Sequence, residues 1–170
     1  MKTKKLTLCG LLTALAVVLS LAERLFPLDA VVPVPGVKLG LANVVTLFAL
    51  TRVSARDALA VVVCRVAISS LLMGSVTAFL FSLLGGLFSL TVMWALLRAE
   101  GRFCSLLGVS VAGAAAHNIG QVAAAVFWMQ TGAVIAYLPL LLVMSVPLGL
   151  VTGLTCSIVL SHMKKINFNV

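Results

Sequence analysis

The chain has 170 residues, of which 62% are hydrophobic and 9% are charged. A water-soluble domain carries charge on about a quarter of its residues, so this composition excludes a soluble globular protein. The formal net charge is +8, but no basic face interleaved with aromatic residues accompanies it, so nucleic acid is not an expected partner.

Six apolar segments follow one another along the chain, separated by short polar breaks. They cover residues 6–26, 39–51, 58–72, 75–97, 105–129 and 134–161. The second and third are shorter than the roughly 20 residues of a membrane-crossing helix. These two could be tilted or shielded spans, or together one re-entrant hairpin. We favour two spans, because the basic residues at the segment ends then all lie on one side of the membrane.

Small residues recur at four-residue spacing in the first segment, as Gly10 with Ala14 and as Ala16 with Ser20. Such pairs allow another helix to approach closely. They predict either the docking of a partner helix or packing inside the bundle, and we favour internal packing.

The first connection, Pro27–Lys38, contains three prolines in twelve residues. Proline restricts both itself and the preceding residue, so we expect a stiff, extended loop. Asn43 follows in the outer half of the second segment. The connection is either a lid on the outer side, with Lys38 and Asn43 facing a ligand, or a plain connector with a snorkelling lysine.

Arg65 stands alone in the apolar run 58–72. Its guanidinium stays charged and costs about 2.5–3.5 kcal/mol at the centre of a membrane helix, which makes it a functional candidate. Two interpretations compete. Arg65 either binds the anionic group of a ligand, or forms a buried ion pair with Glu23 at the end of the first segment.

The fifth segment carries His117, Asn118 and Gln121. His117 and Gln121 are four residues apart and share a helix face, whereas Asn118 lies about 100° around the helix from His117. These groups could join neighbouring helices, at about 0.6 kcal/mol per contact. We favour substrate binding, because three clustered polar side chains exceed what packing requires.

The basic residues at the segment ends predict the topology. They precede the first segment, separate the second from the third and the fourth from the fifth, and follow the sixth: Lys2, Lys4, Lys5, Arg52, Arg56, Arg98, Arg102, Lys164 and Lys165. Six spans place all nine on one side, which the positive-inside rule makes cytoplasmic. We therefore expect an all-α membrane protein, a six-transmembrane-helix bundle forming one domain over residues 1–170. Both termini would be cytoplasmic, and the bilayer would be the cytoplasmic membrane of a bacterium.

The sequence lacks the usual signatures of an enzyme. Its four acidic residues are widely separated, so they form no cluster that could hold magnesium against a diphosphate. It contains no G-x-x-x-x-G-K-[ST] nucleotide-binding loop, and its four cysteines form no C-x-x-C motif. We expect no catalytic residue, no metal site and no cofactor.

Two motifs, P-G-V-K-L-G-L-A-N (Pro35–Asn43) and H-N-I-G-Q (His117–Gln121), resemble the Gx transporter family. Its members are often labelled heptaprenyl diphosphate synthase component I. That family is similar to the substrate-binding S components of energy-coupling factor (ECF) importers, which are small six-helix membrane proteins for vitamins and their precursors.

The resemblance implies a ligand pocket toward the outer face, capped by the first loop. It also implies a membrane coupling subunit and two cytoplasmic ATPases as partners. In S components an A-x-x-x-A pattern on the first helix contacts the coupling subunit. The corresponding pairs here are Gly10 with Ala14, or Ala16 with Ser20.

We therefore expect a membrane substrate-binding subunit for uptake of a small molecule with an anionic or polar head, energised by separate subunits. The expected pocket residues are Lys38, Asn43, Arg65, His117, Asn118 and Gln121. The alternative is a non-catalytic membrane accessory of polyprenyl diphosphate or quinone synthesis. A polar pocket around Arg65 and His117 would favour transport, and a lateral groove open to lipid would favour the accessory role.

Overall fold

The structure, a computed structural model, describes residues 2–23, 38–99 and 105–165. Within these ranges the chain is helical and has no strand. The elements are α1 (Lys2–Ala22), α2 (Asn43–Arg52), α3 (Ala55–Met73), α4 (Val76–Arg98), α5 (Leu106–Met129), a 3₁₀ helix (Gly132–Tyr137) and α6 (Leu138–Lys165).

Four helical stretches are long and apolar enough to cross a membrane. They are Thr3–Ala22, Val76–Arg98, Leu106–Met129 and Gly132–Met163. A protein with these helices is embedded in a membrane, as the composition predicted. α3 has 19 residues and a length of about 28 Å, but it is not one of these four stretches. It carries three charged residues, Arg56, Asp57 and Arg65.

Serine residues start three of the helices. The hydroxyls of Ser54, Ser75 and Ser105 accept hydrogen bonds from backbone amides in the first turns of α3, α4 and α5. Gly74 ends α3 with a φ of +62°, a conformation that glycine adopts without strain. The chain therefore reverses between α3 and α4 within two residues, and the two helices run antiparallel.

The second apolar segment forms a shorter helix than its length of 39–51 predicted. Gly40 has a φ of +81°, and the amides of Asn43 and Val44 bond to the carbonyls of Gly40 and Leu41 in tight turns. α2 therefore begins at Asn43 and has 10 residues, about 15 Å in length. This is half the roughly 30 Å thickness of a hydrocarbon core.

Several charged helix ends meet at one end of the bundle. Lys5 forms an ion pair with Asp57 at 2.6 Å, which joins the beginnings of α1 and α3. The Nη2 of Arg52 donates to the carbonyl of Leu160 at 3.5 Å, which joins the ends of α2 and α6. We call this the charged end.

Apolar side chains pack in two separate clusters. The cluster nearer the charged end includes Leu47, Val62 and Met93. The other cluster joins α4, α5 and the start of α6 through residues such as Phe81 and Leu141. α1 and α6 are mostly exposed, as expected of helices that face lipid, whereas α5 is mostly buried. The polar side chains of the middle of the bundle lie between the two clusters.

Candidate functional site

A group of polar residues gathers at the middle of the bundle, and we call it the central polar layer. Its members come from α1, α2, α3, α5 and the segment before α2: Ser20, Glu23, Lys38, Asn43, Arg65, His117 and Gln121. All except Lys38 are buried.

α2 begins inside this layer rather than at a membrane surface. A Cβ atom on Gly40 would lie 2.9 Å from Nδ2 of Asn43 and 3.1 Å from Cδ2 of His117. His117 lies halfway along α5. The first turn of α2 is therefore at mid-depth, and the helix runs from there to the charged end. Its amino terminus carries a partial positive charge, which favours anions nearby.

Arg65 is 3% exposed and only partly hydrogen-bonded. Its Nη1 donates to the hydroxyl of Ser20 at 3.4 Å, whereas Nε and Nη2 have no partner. Within the described residues, no direct ion pair joins Arg65 to Glu23, although the two opposite charges attract each other. The guanidinium thus retains donors that can bind a ligand.

Glu23 binds the beginning of α2. It is 5% exposed, and its Oε1 accepts a hydrogen bond from the amide of Ala42 at 3.3 Å. The amide of Leu41 lies beside the same carboxylate. The buried acid that the sequence offered as a partner for Arg65 therefore makes its direct contact with the backbone before α2.

His117 and Gln121 form a connected pair on α5, with their side-chain nitrogens 3.1 Å apart. When the Gln121 amide is oriented to satisfy its neighbours, its oxygen accepts from Nε2 of His117 and from the amide of Lys38, each at 3.1 Å. Its nitrogen then donates to the carbonyl of Lys38 at 3.2 Å. The two motifs of the sequence therefore meet, because Gln121 holds the backbone of Lys38 against α5.

Two adjacent glycines on α4 make room for the layer. A Cβ atom on Gly85 would lie 2.9 Å from Cε1 of His117, and one on Gly86 would lie 3.2 Å from Nη2 of Arg65. A Gly-Gly pair inside a long apolar helix was the available signal, but it did not say which side chains approach.

Several buried polar atoms around the layer have no hydrogen-bond partner. They include both side-chain atoms of Asn43 and the hydroxyls of Thr46 and Ser89. A buried polar atom without a hydrogen bond lowers the stability of the folded state by about 1–3 kcal/mol. The layer therefore contains more polar atoms than its own hydrogen bonds satisfy.

Asn118 lies outside the layer, although the sequence grouped it with His117 and Gln121. Its Nδ2 donates to the carbonyl of Leu141 at 2.8 Å. The side chain therefore joins α5 to α6, which is the helix-joining role that the sequence left open. The predicted lid over Pro27–Lys38 lies outside the described residues except for Lys38.

The small residues of α1 separate into two sets. Ala16 and Ser20 are buried, and Ser20 bonds to Arg65. Gly10 and Ala14 are exposed, and nothing lies within 4 Å of a Cβ placed on Gly10. Ala16 and Ser20 therefore pack internally, whereas Gly10 and Ala14 remain accessible to another helix.

A concave feature of the described bundle is an apolar groove near the layer. It has a volume of about 450 Å³ and lies between α1, α2 and α6. Its lining includes Leu11, Leu15, Val44, Phe48 and Val159. The groove is partly open to the side of the bundle, so it has the shape and polarity to accept a hydrocarbon chain.

The described part of the chain contains no group of three histidine, cysteine or acidic side chains that could hold a metal ion. The central polar layer contains hydrogen-bonding side chains together with the charges of Arg65, Glu23 and Lys38.

Comparison with known proteins identifies the family. A family model described as heptaprenyl diphosphate synthase component I matches residues 12–159. No curated protein and no solved structure matches the chain. The matched region includes the described members of the central polar layer and most of the groove. The chain belongs to the heptaprenyl diphosphate synthase component I family.

Proposed function

We propose that this protein is the substrate-binding subunit of a membrane importer, for a small anionic or polar-headed molecule of the vitamin or cofactor-precursor class. The observation that carries the proposal is the central polar layer, in which a buried arginine retains Nε and Nη2 without partners. A bundle that needed only stability would gain from an apolar residue there, because a buried charge is costly in a membrane.

α2 is about half as long as the hydrocarbon core is thick, and this supports a transport site. Many transporters bind substrates near the middle of the membrane, where interrupted helices direct their termini at the ligand. Gly40, in the turn that precedes α2, lies against His117 at this depth, and Glu23 binds the amide of Ala42. Lys38, Asn43, Arg65, His117 and Gln121 would then surround the substrate, while Asn118 would stabilise the α5–α6 contact.

The proposed topology has six passes, with α2 and the segment before it forming the second. Both termini face the cytoplasm of a bacterial cell, because the positive-inside rule assigns the charged end to that side. A ligand reaching the layer from outside would then approach the free donors of Arg65.

Energy for uptake would come from partner proteins, since the sequence has no nucleotide-binding loop. A membrane coupling subunit could dock on the exposed face of α1, where Gly10 and Ala14 allow close approach. Cytoplasmic ATPases would act through that subunit.

A second candidate function is a non-catalytic membrane accessory of polyprenyl diphosphate or quinone synthesis. The family name refers to such a synthase. The apolar groove between α1, α2 and α6 supports it, because an isoprenoid chain could lie there. The importer remains our first proposal, since the groove gives no role to the buried donors of Arg65.

Extraction of bound molecules tests the proposed site. The purified protein, Arg65→Ala and His117→Ala would be extracted with solvent, and the small molecules compared by mass spectrometry. We expect one polar molecule that the wild type retains and both variants lose. Arg98→Ala is the matched control, because Arg98 stacks on Trp94 outside the layer. Retention of the same molecule by both layer variants would overturn the proposed pocket.

Purification from native membranes distinguishes the two functions. An importer subunit should co-purify with ATPases, and Gly10→Leu should weaken that association without releasing the small molecule. Co-purification with a soluble prenyl-transferring enzyme and no ATPase would favour the accessory role. Gly132→Leu serves as a control, because nothing lies within 4 Å of a Cβ at that position either.

A further inference from the structure

The unpartnered atoms of Arg65 lie on one edge of its guanidinium. Nη1 is taken by Ser20, whereas Nε and Nη2 are both without a partner. The hydrogens of Nε and Nη2 point in parallel from the same side of the planar group. A pair of parallel donors binds the two oxygens of a carboxylate, which is the strongest form of arginine recognition.

Glu23 is a buried carboxylate whose charge acts on Arg65. Its charge attracts Arg65, but its direct hydrogen bond goes to the amide of Ala42. The amides of Asn43 and Val44 already bond to nearby carbonyls. Glu23 thus bonds the backbone before α2, and Nε and Nη2 of Arg65 have no hydrogen-bond partner.

We propose that the layer binds a ligand carboxylate through the Nε–Nη2 edge of Arg65, and that Glu23 competes electrostatically with this ligand for the guanidinium. The inference rests on the proposed substrate-binding function and names its ligand class. Asn43, with both side-chain atoms buried and unpartnered, would bond another polar group of the same ligand.

The charges favour a carboxylate over a phosphate group. The positive charges of Arg65 and Lys38 and the negative charge of Glu23 all act on the layer, so one net positive charge remains for a ligand. A carboxylate with one negative charge balances it, whereas a phosphate monoester with up to two negative charges exceeds it and is repelled more strongly by Glu23. Glu23 would therefore set both the affinity of the site and the charge of the ligand that it accepts.

Rescue by small anions tests this proposal. Glu23→Ala removes the competing carboxylate and leaves space beside Arg65. We expect sodium acetate to raise the thermal unfolding temperature of Glu23→Ala clearly above the effect of sodium chloride at equal ionic strength. Inorganic phosphate should stabilise the variant less than acetate. The wild type should respond weakly to every anion, because Glu23 is present.

A double variant identifies where the acetate binds. Acetate could bond the amides of Leu41 and Ala42 instead of Arg65, so Glu23→Ala combined with Arg65→Met should lose the response. An equal response of the double variant would overturn the proposal. Equal or better rescue by phosphate would contradict the carboxylate class. Asp57→Ala at the charged end is the control. If acetate raised its unfolding temperature as much as that of Glu23→Ala, the effect would be a general one of the salt, and acetate binding at Arg65 would be overturned.

Glu23→Gln keeps the side chain's size if Glu23→Ala does not fold. The amide removes one negative charge near Arg65, so acetate should bind this variant about tenfold more tightly than the wild type. Unchanged affinity would overturn the competition. These measurements require no native substrate. A failure here therefore differs from a failure of the proposed function, which would show as the absence of any co-purified molecule sensitive to Arg65→Ala.

Discussion

Two buried polar groups of this bundle differ in how completely they are bonded. Near the charged end, the hydroxyls of Ser110 and Thr152 lie 2.8 Å apart, and Thr152 also donates to the carbonyl of Leu148. In the central polar layer, Arg65 and Asn43 leave two atoms each without a partner. The first group joins α5 to α6, and the second is the group that we propose binds a ligand.

The difference does not come from the helices, because α5 contributes to both groups. Ser110 and His117 are seven residues apart, about 10 Å along the same helix. It comes from the partner side chains. Ser110 meets a hydroxyl of similar size, whereas His117 lies against Gly85, which has no side chain to bond. Satisfied hydrogen bonding is typical of packing contacts, whereas the unsatisfied donors are the groups that the proposed ligand site would use.

The largest expected effect comes from Arg65→Met. Methionine keeps the length of the side chain and removes the charge, so the co-purified ligand should bind at least about 100-fold more weakly. The free energy of unfolding should hold or rise, because a buried charge costing about 2.5–3.5 kcal/mol is removed. Equilibrium ligand binding and equilibrium unfolding, both in the same detergent micelles, measure the affinity and the free energy of unfolding. Arg98→Met is the control, and a large loss of stability in Arg65→Met alone would indicate a structural ion pair.

Gly85→Ala should affect binding less. Its Cβ would lie 3.0 Å from Nδ1 of His117 and from Cγ of Gln121, so both side chains must move. We expect binding about tenfold weaker, with stability lower by about 1–3 kcal/mol. Gly10→Ala is the matched control, since a Cβ there meets nothing within 4 Å. Ligand titration measures the affinity of both variants. Equal affinities would contradict the close contact of Gly85 with His117 and Gln121.

Thr152→Val should change stability slightly and leave binding intact. Valine has nearly the same shape as threonine but cannot bond to Ser110, and such contacts between membrane helices contribute about 0.6 kcal/mol. Unfolding with and without ligand measures both effects. If Thr152→Val weakened ligand binding as Gly85→Ala does, the distinction between the two polar groups would be wrong.

The smallest effect concerns pH at the charged end. The Lys5 ammonium, together with the Ser54 hydroxyl that donates to Asp57, holds the pKa of Asp57 below its ordinary value. Ionised Asp57 therefore adds a little stability at neutral pH, which is lost as the pH falls through this lowered pKa. Asp57→Asn should remove this pH dependence, and added salt should reduce it. Thermal unfolding across pH measures it, and an unchanged profile in Asp57→Asn would contradict the assignment.

Much of the helical framework could be predicted from the sequence. The predicted segments 75–97 and 105–129 correspond to α4 (Val76–Arg98) and α5 (Leu106–Met129) within one residue at each end. Their bounds were predictable because serine caps precede them and mostly apolar residues follow. The start of α2 was not, because the positive φ of Gly40 depends on the contact with His117, which is 77 residues away in sequence.

The candidate site was predictable by residue type more than by arrangement. Arg65 stood out because a charge is costly in an apolar helix, and His117 with Gln121 because they share a face. The sequence could not separate Asn118 from them, since its partner is a backbone carbonyl on α6. Nor could it show that Glu23 would bond to Ala42 rather than to Arg65. These choices depend on tertiary contacts that no local pattern encodes.

The claim that the central polar layer is a ligand site can be tested most directly by native mass spectrometry of the intact protein. The account predicts that the wild type and Thr152→Val each carry one copy of the same small molecule, and that Arg65→Met carries none. If no variant carries such a molecule while bound lipids are preserved, or if Arg65→Met carries it like the wild type, the layer is not the site that we describe.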